Sequence, residues 1–589
     1  MPYRAPVADI AFTLRHVAGL GTAIGAGLFG DLTPDLVQQI LEEAGRFATE
    51  RVAPLLAVGD REGAKLADGA VTMPPGWRDT YRAWCEAGWN GLTGPAEYGG
   101  QALPTMLSVA TQEMWNGGSM AFGIGPTLTI GAIEAISTHG SDDLKARYLE
   151  KLVTGEWTGT MNLTEPQAGS DLNALKARAE RRPDGTYRIF GQKIFITYGD
   201  HDLTDNIVHL VLARLPDAPP GTRGISLFLV PKILVNEDGT LGARNDVRCA
   251  GVEHKLGIHA SPTCTMVYGD EGGAVGYLVG EENRGLACMF TMMNNARLMV
   301  GIQGVAVAEA AFQHALAYAQ ERRQGRAPGW RGEGMSPIAA HPDVARMLLT
   351  QKALTAAARS ICYACAAAID MAHVTEGDDG RRWQERAGLI TPLAKAFSTD
   401  VGVEVASLGI QVHGGMGYVE ETGAARFLRD ARIAPIYEGT NGIQAIDLVA
   451  RKLPLSGGRA LADYLAELRA DAVRARDANR PDFGRMGEAV LAALGDVDAA
   501  TAWIEAKREA DPQAVLAAAA SYLRLLSLAA GGAYLARGAV AAAGEADGDG
   551  RVALARFYAE HLLGETSSLR ARVVNGSEVV GAASAALAS

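Results

Sequence analysis

Glu438 is the side chain whose neighbours most invite chemistry. It lies in Ile436-Tyr-Glu-Gly-Thr-Asn-Gly-Ile-Gln444, glycine-flanked and just ahead of a helix start. A lone carboxylate on such a loop can serve as a general base. The same place also suits a solvated anion facing the positive end of a helix. Two glycine-rich stretches could hold a ligand. In Met161-Asn-Leu-Thr-Glu-Pro-Gln-Ala-Gly-Ser-Asp171, small residues let backbone N–H groups approach a phosphate or a flat ring, and Thr164 and Ser170 add hydroxyls. It also reads as a polar turn. Gln411-Val-His-Gly-Gly-Met-Gly-Tyr418 is followed by Glu421, Arg426 and Asp430. It falls between helices, so it is either a helix–helix corner or a ligand loop, and not a strand–loop–helix dinucleotide motif. Glu321-Arg322-Arg323 ends a helix and is either solvated or a phosphate clamp.

Other reactive patterns are weaker. Cys362 and Cys365 form a C-x-x-C among small apolar residues with no second pair, which fits core packing better than zinc. Met289, Met292, Met293 and Met299 form a soft apolar patch. His201 and His209 lack metal-ligand spacing, and neither a G-x-S-x-G elbow nor a Walker loop is present.

Positioning these residues falls to four regions. Thr33-Pro34-Asp35 starts a helix whose apolar face is Leu36, Ile40, Leu41, Ala44 and Phe47, and helical segments run on to about residue 152. This first region is expected to be all helix. Residues 155–285 carry β-branched and aromatic runs at 186–197, 206–215 and 224–231, then more over 248–280, between Gly/Pro/Asp clusters, which predicts an antiparallel β domain. Long helices are expected at 297–322, 343–373 and 391–409, with a further helix opening at Asn441-Gly442. Leu453-Pro-Leu-Ser-Gly-Gly458 reads as a linker. The alanine-rich tail beyond it should hold three or four helices, broken at 547–550.

The composition limits the class. Of 589 residues, 48% are hydrophobic and 21% charged, enough apolar surface to offset chain entropy, which excludes disorder as the main state. The net charge of −12 disfavours a broad nucleic-acid footprint. Six cysteines do not make a disulfide scaffold and fit a reducing, cytoplasmic setting. The opening residues show no secretory pattern. The Ala/Leu-rich stretch 515–543 contains Arg524 and Arg537, so no uncharged 18-residue span and no membrane crossing are expected.

Taken in order, these segments resemble the acyl-CoA dehydrogenase family. Leu163-Thr-Glu-Pro-Gln-Ala-Gly-Ser-Asp171 precedes the β domain, and Gly-Gly-x-Gly-Tyr and Tyr-Glu-Gly-Thr follow it. Residues 411–430 fit the family's second signature at every constrained position. The resemblance covers about 35–453. It implies an α+β fold: an N-terminal helical domain (1–154), a central antiparallel β domain (155–285), a helical bundle (286–453) and an extra C-terminal helical domain (459–589). Lys193-Ile-Phe-Ile-Thr-Tyr-Gly-Asp-His-Asp202 and Tyr3-Arg-Ala-Pro6 resemble a bacterial subgroup acting on 3-methylmercaptopropionyl-CoA.

The family binds FAD. Carried over residue by residue, Met161, Leu163, Thr164, Gly169 and Ser170 would face the flavin and its phosphates, and Phe195, Ile196 and Thr197 would cover the ring. Arg322 and Gln324, with Gln411, Gly414 and Gly415 of a neighbouring subunit, would hold the pyrophosphate and adenosine. Thr440 and Gly442 would complete the cofactor site. Ser170, Asn294, Arg297, Tyr437 and Gly439 would meet the acyl-CoA. Glu438 would take the α-proton while its backbone N–H binds the thioester carbonyl, and the β-hydride would pass to the flavin. An electron-transfer flavoprotein would then accept the electrons, and a homodimer is expected because the extra domain covers a face used elsewhere for tetramers. Three residues depart from the family pattern: Asn162 for a small residue, Phe195 for Trp and Tyr198 for Asn. The resemblance leaves room for a short- or medium-chain fatty acyl-CoA dehydrogenase, an acyl-CoA oxidase, a nucleic-acid-associated flavoprotein, or a scaffold without catalysis.

Overall fold

The computed structural model describes residues 3–545 and 548–588. The main elements run α1 (Val7–His16), α2 (Pro34–Phe47), β1 (Lys65–Ala67), β2 (Ala70–Thr72), α3 (Trp77–Glu86), α4 (Thr105–Gly118), α5 (Met120–His139) and α6 (Asp142–Thr154). Strands follow as β3 (Thr158–Asn162), β4 (Arg178–Arg181), β5 (Tyr187–Thr197), β6 (Ile207–Arg214), β7 (Ile225–Pro231), β8 (Ile233–Val235), β9 (Leu241–Arg244), β10 (Val247–Val252), β11 (Thr263–Tyr268) and β12 (Ala274–Val279). The remaining long helices are α7 (Gly285–Glu321), α8 (Pro342–Val374), α9 (Gly377–His413), a short α10 (Asn441–Asp447), α11 (Arg459–Asp477), α12 (Met486–Lys507) and α13 (Pro512–Ala542).

These elements fall into two compact units, neither of them one continuous stretch. One holds the described residues up to Arg46, then Val109–Gly117, then those from Arg297 onward; the other holds Phe47–Ser108 and Gly118–Ala296.

The unit containing Gly118–Ala296 is built on a sheet with strand order β10-β11-β5-β12-β7-β6-β3, and β4 pairs β5 and β6. Buried on both faces, β7 is apolar almost throughout, whereas β5 alternates buried with exposed positions. The expectation of an antiparallel domain needs correction at one edge. There β3 runs parallel to β6, from Thr158 beside Ile207 to Asn162 beside Val211, and β4 meets β6 in parallel at Arg178 and Arg214. The all-helical expectation for the first region also fails, because β1 and β2 form a two-stranded hairpin there.

The unit containing the residues from Arg297 onward is helical. Inside it α7 and α9 approach so closely that a Cβ on Gly301 would lie 2.4 Å from the carbonyl O of Ala394, and one on Gly304 would lie 2.3 Å from that of Ser398. Glycine is required at both for that contact. α9 starts fourteen residues earlier than expected, with Pro392 inside it. The linker 453–458 turns through Ser456 and Gly457, both at positive φ, into α11. α13 is capped by Asp511, which accepts from Ala514 N at 3.1 Å, and packs against α11 and α12. Of the expected break at 547–550, Asp547 lies outside the described residues, and the chain is already helical again from Gly548.

The N-terminal arm is tied into the same unit. Arg4 N donates to Gln313 Oε1 at 3.0 Å, Gln313 Nε2 returns a bond to Arg4 O at 2.8 Å, and the Tyr3 ring is buried. Beside it Arg359 on α8 pairs with Glu113 at 2.6 Å and Glu309 at 2.9 Å.

The stretch 114–133 carries no charged residue, which corrects the expectation that no such span exists. α5 and α13 are both long and apolar enough to cross a membrane, but 78% and 72% of their apolar windows are buried inside the protein, as in core helices.

Candidate active site

In the β-domain unit, the loop after β3 is fastened from below. Lys193, on β5, is fully buried and donates to Glu165 Oε1 at 2.8 Å and to Leu163 O at 3.1 Å. Glu165 also accepts from the backbone amides of Lys176 (2.7 Å) and Ala177 (3.0 Å) and from Gln167 Nε2 (2.6 Å). Burial by itself would raise the Glu165 carboxyl, but the Lys193 ammonium and these amides outweigh it and hold it below its ordinary value. Burial pulls Lys193 down to about 8. Ile194 N donates to Thr164 O at 2.9 Å, so the loop and the end of β5 share one edge.

That edge gathers most of the expected flavin residues. Met161 is buried in β3, while Leu163 and Thr164 are half-buried. Gly169 and Ser170 are exposed, and a Cβ on Gly169 would meet no atom within 4 Å. Phe195 is 59% exposed and sits at φ 60°, a conformation that costs a non-glycine residue about 1–3 kcal/mol and is typical of functional positions. Ile196 beside it is buried and Thr197 half-buried. An exposed aromatic ring at the end of β5, one residue from the bond to Thr164, together with the open backbone at Gly169, fits a flat cofactor with phosphates.

Two family departures prove to be internal. Asn162 is fully buried: its Nδ2 donates to Thr160 Oγ1 at 2.9 Å, and its Oδ1 accepts from the Tyr268 hydroxyl at 2.8 Å. Tyr198 is buried too, donating to Ala121 O at 2.6 Å and accepting from Trp77 Nε1 at 3.3 Å. It is a packing anchor and adds nothing to a partner-facing surface.

In the helical unit, Glu438 sits at φ 56° and the next residue, Gly439, at 82°. A Cβ on Gly439 would come within 2.8 Å of Gln444 Nε2, and that amide donates to Glu438 O at 3.4 Å. Thr440 caps α10, its Oγ1 accepting from Ile443 N at 3.2 Å, and Gly442 is exposed in the first turn. The Tyr437 hydroxyl donates to Gln303 Oε1 on α7. No described residue donates a hydrogen bond to the Glu438 carboxylate. Burial pushes that carboxyl up to about 7, against the opposing pull of Arg297 and Lys395. Arg297 itself is buried, with burial drawing its guanidinium down and Asp447 and Glu438 pulling it back up. Three buried polar atoms near this loop, Arg297 Nε, Gln303 Nε2 and Gln444 Oε1, have no partner and could serve a ligand. The side chain of Asn294 lies outside the described residues.

A second cluster of the same unit sits where α7 and α9 end. The His413 ring stacks on Tyr318 at 4.4 Å and on His314 at 4.9 Å, which brings the glycine loop beside the end of α7. Arg322 and Gln324 are exposed there, and Gln324 N is bonded to Ser336 O at 3.1 Å. Gln411, Gly414 and Gly415 are exposed as well, and a Cβ on either glycine would meet nothing within 4 Å.

Sequence reasoning passed over Lys395, whose charge bears on Glu438, read Asn441 only as the opening of a helix, and gave Lys193 and Glu165 no role. Lys395 carried a usable signal, as the one charge in the apolar run 389–397. Cys362 and Cys365 are buried with their thiols 3.3 Å from Ser398 Oγ and 3.5 Å from Thr391 Oγ1, as core packing expects. Among the described residues, no group of His, Cys, Asp and Glu could hold a metal ion.

Comparisons with known proteins point in one direction. Models of the acyl-CoA dehydrogenase N-terminal, middle and C-terminal domains match residues 35–156, 160–270 and 283–453, and one described as acetyl-CoA dehydrogenase C-terminal like matches 464–583. The chain is 45% identical to a 3-methylmercaptopropionyl-CoA dehydrogenase of Ruegeria pomeroyi over 98% of each chain. It is 34% identical to a butyryl-CoA dehydrogenase of Syntrophomonas wolfei over 94% of each. Among solved structures, Caenorhabditis elegans ACDH-11 in complex with C11-CoA matches with a TM-score of 0.80 at 21% identity, over 99% of this chain and 95% of that one. An acyl-CoA dehydrogenase complexed with FAD from Bacillus anthracis matches with a TM-score of 0.71 at 22% identity, over 94% and 91%.

Proposed function

The chain belongs to the acyl-CoA dehydrogenase family, an FAD-dependent family of oxidoreductases, and on that premise we propose that it converts 3-methylthiopropanoyl-CoA to 3-methylthioacryloyl-CoA with Glu438 as the base. The observation that carries the chemical part is the Glu438 carboxylate, at positive φ and without a hydrogen-bond donor, its proton affinity raised by burial to near neutrality. A general base works best when its pKa lies near the operating pH, and such catalysis is typically worth about 10²–10⁴-fold. The substrate rests on the 45% identity that spans both chains almost end to end.

A thioester α-proton is too weakly acidic to leave unaided. In this reading Glu438 Oε takes it while the backbone N–H of Glu438 donates to the thioester oxygen, where charge develops. Base and donor thus come from one residue, and Gly439 and Thr440 fix their mutual geometry. Thr164, Ser170, Phe195, Ile196 and Thr197 would hold FAD on the β domain. Arg322, Gln324, Thr440 and Gly442 would contribute as well, with Gln411, Gly414 and Gly415 of a neighbouring subunit. What FAD supplies when bound is the acceptor for the β-hydride. Arg297, Tyr437, Gly439 and Ser170 would orient the acyl-CoA, and orientation of this kind contributes several kcal/mol in well-aligned systems. An electron-transfer flavoprotein as acceptor, a homodimeric assembly, and a cytoplasmic role in dimethylsulfoniopropionate breakdown belong to the same proposal.

The test is a panel of acyl-CoA esters assayed with an artificial electron acceptor. A thioether chain is close in size to a butanoyl or pentanoyl chain, and an apolar pocket separates one methylene by only about 1–3 kcal/mol. Butanoyl-CoA should therefore also turn over, as the butyryl-CoA relative suggests. A preference for chains of twelve or more carbons would overturn the substrate, and peroxide formed in step with turnover would replace the dehydrogenase with an oxidase.

A further inference from the structure

We propose that Lys395 and Asn441 are positioning residues for Glu438: Asn441 ties the head of α10 to α9 and holds the Lys395 ammonium where its positive charge acts on the Glu438 carboxylate. The inference rests on Glu438 being the base.

The geometry begins with the backbone. Asn441 follows Glu438 by three residues, and its N–H donates to Pro435 O at 3.0 Å, closing the loop that carries Glu438. Its side chain then spans more than one turn of α9. Oδ1 accepts from Lys395 Nζ at 2.8 Å. Nδ2 donates to Asp400 Oδ1 at 2.7 Å and to Ala396 O at 3.1 Å. The amide cannot be turned over, since that would set its NH₂ against an ammonium and its oxygen against a carboxylate.

Lys395 is fully buried, and its hydrogen-bond acceptor is a neutral amide. Elsewhere in the chain a buried lysine has a carboxylate at bonding distance, as Lys193 does. With its charge left unneutralised by contact, the Lys395 ammonium acts on the carboxylates around it, Glu438 and Asp400. The other charges at Glu438 come from Arg297 on α7, which also favours the ionised form, and from Asp447 on α10, which bears on Arg297 and pairs with Arg451. Asp400 faces Asn441 Nδ2, with Arg524 and Glu404 beyond it, and burial raises its carboxyl. Burial draws Lys395 down to about 7 and Glu438 up to about 7, so the two change charge in one pH range.

The test is Lys395→Met in the FAD-loaded enzyme, read by anaerobic flavin reduction with butanoyl-CoA across pH. In parallel, the infrared carbonyl band of protonated Glu438, assigned by its loss in Glu438→Gln, is titrated in the protein with and without FAD. Removing an opposite charge should move the Glu438 midpoint upward by about one pH unit or more. Below the parental midpoint, reduction should then slow by about tenfold. Lys395→Arg, charged at every pH, should hold the midpoint at or below the parental value, and Asn441→Ala should shift it upward by less than Lys395→Met. An unmoved midpoint in Lys395→Met overturns the proposal, even with lowered thermal stability, because a purely structural lysine would lower stability and leave the titration alone. If Lys395→Met does not fold, Asn441→Ala decides on the same reading. Fast flavin reduction in Glu438→Gln would instead overturn the base assignment, while the infrared titration would still report on Lys395.

Discussion

Lys193 in the β domain and Lys395 in α9 are both fully buried, and each lies beneath a loop or strand end that presents a side chain at positive φ, Phe195 in one case and Glu438 in the other. Their partners differ. Lys193 meets the Glu165 carboxylate at 2.8 Å, and Glu165 is further bonded to two backbone amides. Lys395 meets an asparagine. In the first region the charges are satisfied by contacts within the frame. In the second, a charge is left for the carboxylate above. The contrast teaches that the partner of a buried lysine, more than its depth, decides whether it braces a loop or acts on one.

The hardest test of this contrast is Glu438→Gln. The side chain keeps its size and the backbone N–H remains, so FAD and acyl-CoA should still bind, while substrate-driven flavin reduction should fall by about 10²–10⁴-fold. Anaerobic stopped-flow at the flavin band reads it. If Glu438 were only an anion at a helix end, the change would cost at most about 1 kcal/mol of stability, and reduction would continue near the parental rate.

Next comes Glu165→Ala, which strands the Lys193 ammonium. Breaking a buried pair in this way costs about 3–5 kcal/mol, visible as an earlier denaturant midpoint together with loss of flavin. A loss below about 1 kcal/mol would erase the contrast. The parent should show the linkage directly. Lys193 loses its proton at about 8 in the folded chain and near 10.4 in the unfolded one. Between those values the unfolded chain binds the extra proton, so unfolding free energy should rise with pH across that window. Glu165 works at the other end. Its depressed carboxyl contributes stability above the ordinary carboxylate range, lost as pH falls through the folded value.

The smallest effect is expected from Thr440→Ala. Losing the cap on α10 should cost about 1 kcal/mol and slow flavin reduction modestly through a looser Glu438 loop. The equivalent loss on the β-domain side, where Asp171 accepts from Asn173 N at 2.9 Å, should leave reduction unchanged.

Much of this was legible in the sequence because the informative segments are local. Glycine runs, a Thr cap and alternating β-branched residues announce loops, a helix start and strands from their immediate neighbours. β5, β6 and β7 fall within a residue or so of their sequence expectations. What escaped was set by distant partners. The parallel pairing of β3 with β6 joins residues about fifty positions apart, and nothing in Thr158–Asn162 states its direction. Asn162 looked like a departure in a ligand motif because its partner Tyr268 is 106 residues away. Asn441 read simply as a helix opener, since its hydrogen bonds to Lys395 and Asp400 reach back more than forty residues.

The divided makeup of the helical unit has a consequence for synthesis on the ribosome. Tyr3, Arg4 and α1 emerge well before Gln313, Glu309 and Arg359, against which the arm is fastened and which follow some 300 residues later. At about 5–20 residues per second the arm waits on the order of 15–60 s for its partners. The β-domain unit, whose last residue is Ala296, can close in that interval. A nascent chain halted near residue 300 should therefore expose a folded sheet and an unprotected leader, and the apolar face of that leader, Ile10 and Leu14, is then open to chaperones until the last helices arrive.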